Sequence, residues 1–144
     1  MPSSEISLSE DIRRAHAALL QDLRDLEKTA QLAVAGPMTP LRDCLATTRE
    51  HVINHFRFEE QDGYMDAARK RQPHLERVIQ ELLDEHRQLS RSLDGLIEGA
   101  EVTSHVDDAL LQDIRAWVQR VRQHEARENA LMQNAFNLDI GPED

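Results

Sequence analysis

Cysteine occurs once, at Cys44, in a chain of 144 residues, so no internal disulfide can staple the fold. Aromatic residues make up only 3%, and glycine and proline number five each, which disfavours a sheet-rich protein built on aromatic strands and glycine-rich turns. No apolar run is long enough to cross a membrane, and the polar, acidic segment from Met1 to Ile12 does not resemble a signal sequence. Lysine and arginine total 17 against 27 aspartates and glutamates, a formal net charge of −10. No basic cluster is large enough to reverse that charge locally, so nucleic acid and membrane are excluded as partners. Together these absences lead us to expect one soluble, cytoplasmic domain whose Cys44 is an inert, partly buried thiol.

What is abundant is Leu, Ala, Glu, Gln and Arg, a helix-favouring mixture, and four segments carry an apolar repeat of three and four residues. The first, roughly 8–34, opens on the capping pattern Ser7-x-x-Glu10, carries Ile12, His16, Leu19, Leu23 and Leu26 on its stripe, and stops at Gly36-Pro37. A second, roughly 40–70, starts at an N-cap Thr39 followed by Pro40 and runs through Leu41, Leu45, Val52, His55 and Glu59, with Gly63 as a weak point. The third, roughly 74–98, begins at Pro73 and repeats Leu75, Ile79, Leu82, His86, Leu89 and Leu93. Ser104-x-x-Asp107 introduces the fourth, roughly 105–136, with Leu110, Ile114, Trp117, Val121, His124, Glu128 and Leu131. Short links make consecutive helices antiparallel, so the predicted fold is all-α: an up-down-up-down four-helix bundle over residues 1–144, with 137–144 as a loose tail.

Six polar residues stand where the repeat calls for apolar ones: His16, His55, Glu59, His86, His124 and Glu128. Each stripe has one histidine, and two of them have a glutamate four residues on, which places both side chains on one helix face. Buried carboxylates and imidazoles cost several kcal/mol unless something compensates them, and a metal does so. Counting from each turn at about 1.5 Å per residue puts His16, His55/Glu59 and His86 at one height. The leg to His124/Glu128 is out by about one turn unless the third helix continues past Gly99. Four imidazoles and two carboxylates exceed a tetrahedral zinc site, and carboxylates on opposite helices can bridge, so two adjacent ions are the better count. A ferritin-like site needs Glu-x-x-His, and none of the seven histidines has a glutamate three residues before it.

His16, His55-x-x-x-Glu59, His86 and His124-x-x-x-Glu128, in that order, resemble the hemerythrin-like or HHE cation-binding family across nearly the whole chain. The segments His55-Phe56-Arg57-Phe58-Glu59-Glu60, Asp84-Glu85-His86 and His124-Glu125-Ala126-Arg127-Glu128 are similar to that family's own. The resemblance implies a non-haem di-iron centre, oxo- or hydroxo-bridged, with both carboxylates bridging and an open position for O2 or a related small oxidant such as peroxide. Oxygen-carrying members have a fifth histidine, from His-x-x-x-His on the third helix; here Leu82 stands at that place.

His51, one turn before His55, is a candidate additional ligand, while His74 and His105 read as solvated. Glu60 and Glu85 point off the stripes and read as surface carboxylates, Tyr64 as a packed edge residue and Trp117 as core. The expected function is binding of O2 or a related oxidant for sensing, delivery or detoxification. A peroxide- or NO-processing enzyme and an iron-responsive binding module or iron store stand as alternatives.

Overall fold

The computed structural model describes residues 2–61 and 64–136, with the side chains of residues 2–7, 9 and 64 outside that description. Its regular elements are helices: α1 (Pro2–Ala33), α2 (Thr39–Gln61), α3 (Tyr64–Arg71), α4 (Glu76–Glu101) and α5 (Asp108–Phe136), with a 3-10 turn at Pro73–Leu75. The legs form a ring in which α1 packs on α2, α2 on α4, α4 on α5 and α5 back on α1, and α3 prolongs the second leg.

Where the loops meet fixes the direction of each leg. Ala35 N–H donates to the Val106 carbonyl (2.8 Å), Val106 N–H to the Gly36 carbonyl (3.1 Å) and Met38 N–H to the Ser104 carbonyl (3.0 Å). Arg42 reaches over from α2 and donates from Nε to the Ala100 carbonyl and from Nη2 to the Thr103 carbonyl, each at 2.7 Å. The α1–α2 and α4–α5 loops therefore share one end of the bundle. Helices α1 and α4 run toward that end and α2 and α5 away from it, the up-down-up-down arrangement.

Several boundaries differ from those expected. Helix α1 already begins at Pro2, so Ser7 lies within it rather than at its start; no glycine or second proline interrupts the first turns, and proline is tolerated there. Helix α2 starts at Thr39 itself rather than after it. The single helix expected over 40–70 is two elements separated by Asp62-Gly63; those two residues, including the weak point at Gly63, lie outside the described residues, as do the Tyr64 side chain and the tail 137–144. Pro73 and His74 lie in the 3-10 turn, and α4 runs past Gly99 to Glu101 while α5 starts only at Asp108, which together supply the turn missing from the count to His124. Asp107, not Ser104, caps α5: its Oδ1 accepts from Leu110 N–H at 2.8 Å, because Ser104 is engaged in the pairing of the loops. At the start of α5, Leu111 rather than Leu110 enters the core.

Two apolar clusters fill the interior. One, at the loop end, gathers Leu23, Leu41, Leu45, Leu93, Trp117 and their neighbours; the other gathers Ile12, Met65, Ile79, Leu82, Met132 and Phe136. Trp117 is buried and its Nε1–H donates to the Leu89 carbonyl at 2.9 Å, which satisfies the one polar atom the ring brings into the core. Cys44 is half-buried against the first cluster. On every leg the switch from one cluster to the other passes through a polar residue, so the buried His16, Glu59, His86, His124 and Glu128 form one layer between two apolar plugs. No helix among the described residues is long and apolar enough to cross a membrane.

Candidate metal centre

The layer resolves into two groups of donors whose ligand atoms lie within 4.8 Å of one another: Glu59, His86, His124 and Glu128 in the first, His55, Glu59 and Glu125 in the second. Glu59 belongs to both. Its Oε1 lies 3.1 Å from His86 Nε2 and its Oε2 lies 3.2 Å from His55 Nε2, so one carboxylate spans the two groups from α2. Glu128 Oε1 stands 2.7 Å from His86 Nε2 and also contacts His124 Nε2, one turn earlier on α5.

In the second group, Glu125 Oε1 is 2.8 Å from His55 Nε2 and 3.4 Å from His16 Nδ1. Asn129, one turn further along α5, holds His16 Nε2 through its Nδ2 at 3.4 Å. His16 is therefore in the layer and tied to the second group through Glu125, without being within the tight set of donors itself.

The outer nitrogens of two histidines are fixed by carboxylates. A carboxylate only accepts, so His86 Nδ1 donates to Glu60 Oε2 (2.6 Å) and His124 Nδ1 donates to Glu85 Oε1 (2.7 Å). Arg127 in turn holds both Glu85 and Glu81. Glu60 is exposed, as expected of a surface carboxylate, and Glu85 is half-buried, yet each reaches across a helix–helix seam to the back of an imidazole and turns its Nε2 inward.

That orientation is what tests the fit of a metal. Burial lowers the His124 pKa, and the hydrogen bond to Glu85 does not recover it, so the ring is neutral with its proton on Nδ1. Its Nε2 lone pair then faces the Glu128 carboxylate, two electron-rich atoms with no hydrogen bond between them. Five buried side-chain polar atoms among the described residues lack a hydrogen-bond partner, and four belong here: Glu59 Oε1, His124 Nε2, Glu125 Oε2 and Glu128 Oε2. Of these, Glu59 Oε1 lies within ion-pair distance of His86 Nε2, and His124 Nε2 within ion-pair distance of Glu128 Oε1. Cations in the two groups would remove the repulsion and give these atoms a partner, and the nitrogen–carboxylate set suits a transition metal.

Elsewhere in the layer the acids prevail. Burial pulls the His55 pKa down, but the charges of Glu59 and Glu125 and their hydrogen bonds lift it well above the ordinary value. Burial likewise lowers His86 and is outweighed by its close contacts and charge interactions with Glu59 and Glu60. Burial would raise Glu125; the His55 charge and hydrogen bonds from His16 and His55 carry it well below the carboxylate range instead. Without metal, protons on the histidines partly offset the carboxylates, and metal uptake must displace them.

His51 does not join either group: it is exposed on α2, with Nδ1 3.0 Å from Asp22 Oδ1 on α1, because one turn before His55 the face has rotated toward the α1–α2 groove. His74 and His105 are exposed. Leu82 is fully buried in the second apolar cluster, so α4 supplies no second imidazole. Glu125 and Asn129 were not singled out from the sequence. The outer carboxylates give the first prediction: Glu85→Gln should weaken metal binding by about 10- to 100-fold by titration, since the amide can present N–H to His124 and turn the ring. Unchanged affinity would mean that Glu85 orients nothing.

Residues 7–136 match the family described as Hemerythrin HHE cation binding domain, nearly the whole chain. No curated protein and no solved structure gives a significant match.

Proposed function

Since the chain belongs to the hemerythrin HHE cation-binding family, and its buried histidines and glutamates form a metal-binding layer, we propose that it holds a carboxylate-bridged pair of iron ions and binds O2 or a related small oxidant there. The observation that carries the count of two is Glu59, one side chain with an oxygen turned to each group. Iron is supported by the mixed imidazole and carboxylate donors, which suit it better than the thiolate-rich or tetrahedral sets of structural zinc.

Bound iron would supply redox chemistry and coordination positions for a small ligand. The chain's own residues do the rest. Glu60 and Glu85 hold the His86 and His124 rings in one tautomer and one rotation, and the two apolar clusters keep bulk water from above and below. Between α1 and α2 a groove of about 570 Å³, whose lining includes Ala15, Leu19, Asp22, His51, Asn54 and Phe58, reaches the edge of the layer at His55 and would give a small molecule access there. Sensing, delivery and detoxification all use such an arrangement. The reading of peroxide or NO turnover draws on Leu82, which leaves the pair without the fifth imidazole of the oxygen-carrying members.

Metal analysis and an optical spectrum of protein produced in iron-replete medium test the proposal. Two iron ions per chain are expected, unchanged by His74→Ala or His105→Ala, whose side chains are exposed. Zinc in place of iron, or fewer than two ions, would overturn it. Hydrogen peroxide added to the loaded protein then separates steady consumption, the mark of an enzyme, from a single stoichiometric spectral change.

A further inference from the structure

Glu125 is only 2% exposed, sits beside the ligand candidate His124 in sequence, and turns to the opposite group. Its Oε1 receives both His55 and His16, while its Oε2 has no partner. With His16, His55, Glu59, Glu128 and Asn129 it lines a small interior cavity. A carboxylate buried this deeply is costly to leave with one oxygen unsatisfied, and the histidines reach only the other.

The membership of the donor groups is the second observation: Glu125 stands with His55 and Glu59, apart from His86 and His124. From this we propose that Glu125 is a metal ligand on the His55 side of the layer, one carboxylate more than the two His-x-x-x-Glu pairs supply. The inference rests on the two-ion reading above.

Anaerobic titration with ferrous ion, read as ions bound per chain and affinity of each, tests this. Glu125→Gln should keep one tight ion and weaken the other by more than about tenfold. Glu125→Gln combined with His55→Ala should still keep one ion, because both changes strike the same position, whereas Glu125→Gln with His86→Ala should keep none. Far-UV circular dichroism and melting of the metal-free variants establish that each is folded before loading is compared. Two unweakened ions in Glu125→Gln would remove Glu125 from the ligand set. Wild-type protein that binds fewer than two ions defeats the pair itself, a failure visible without any variant.

Discussion

Glu59→Gln should leave both metal positions empty, the largest effect of any single substitution in the layer. The side chain gives an oxygen to His86's group and an oxygen to His55's group, so its loss removes a charged donor from each. An ion held at a thousandfold excess over its Kd stabilises the folded chain by about 4 kcal/mol, and both contributions vanish together. The metal-free protein should respond in the opposite sense. Three buried carboxylates crowd the layer, and each has an oxygen without a hydrogen-bond partner. Replacing one by a neutral amide of the same shape relieves desolvation and like-charge repulsion without opening a cavity. Melting with and without a chelator, beside iron content, checks both signs: the variant should melt below loaded wild type and no lower than metal-free wild type. Two iron ions retained in Glu59→Gln would contradict its place between the groups.

Removal of metal from the wild-type protein should lower its melting temperature by on the order of 15–30 °C. The estimate takes about 4 kcal/mol for each of two ions and about 2–4 °C per kcal/mol for a chain of this length. The physical origin is local. Without cations, neutral His124 and the carboxylates of Glu59, Glu125 and Glu128 face one another between two apolar plugs that admit little water to screen them. Calorimetry before and after chelation measures the shift, and a change of only a degree or two would mean that the layer is held together without metal.

Much of this centre was legible in the sequence because its six stripe positions break a strong apolar repeat. His86 and His124 replace leucine-like positions on α4 and α5, and the His-x-x-x-Glu spacing of His55/Glu59 and His124/Glu128 is a helix-face signal that survives any error in helix boundaries. Glu125 was hidden by reading α5 as a single narrow stripe. That helix packs on both α1 and α4, and its buried face is correspondingly broad, with Val118, Glu125, Asn129 and Met132 lying beside the Trp117–Val121–His124–Glu128 line. The spacing Glu125-x-x-Glu128, two acids on one face, was the available clue. Glu60 and Glu85 were missed for a different reason: they flank the stripe, and only the seam between neighbouring helices brings them behind His86 and His124. The start of α5 at Asp108 was equally out of reach, since it depends on residues 104–106 pairing with a loop about 70 positions earlier in the chain.

The hooked loops at one end give the molecule a common zero from which all four legs are measured. Arg42 and the backbone bonds between residues 34–38 and 104–106 lock α1, α2, α4 and α5 in register there, and His55 lies 13 residues from Arg42, about 20 Å along α2. Adding or deleting a residue within that stretch would slide a donor by about 1.5 Å and swing it by about 100° around its axis, out of reach of its companions. Length changes beyond the layer, on the side of α3, leave the ruler intact. The connection at the far end can therefore change in length, so long as the second apolar cluster still closes, while a clasp two nanometres away keeps the histidines in register.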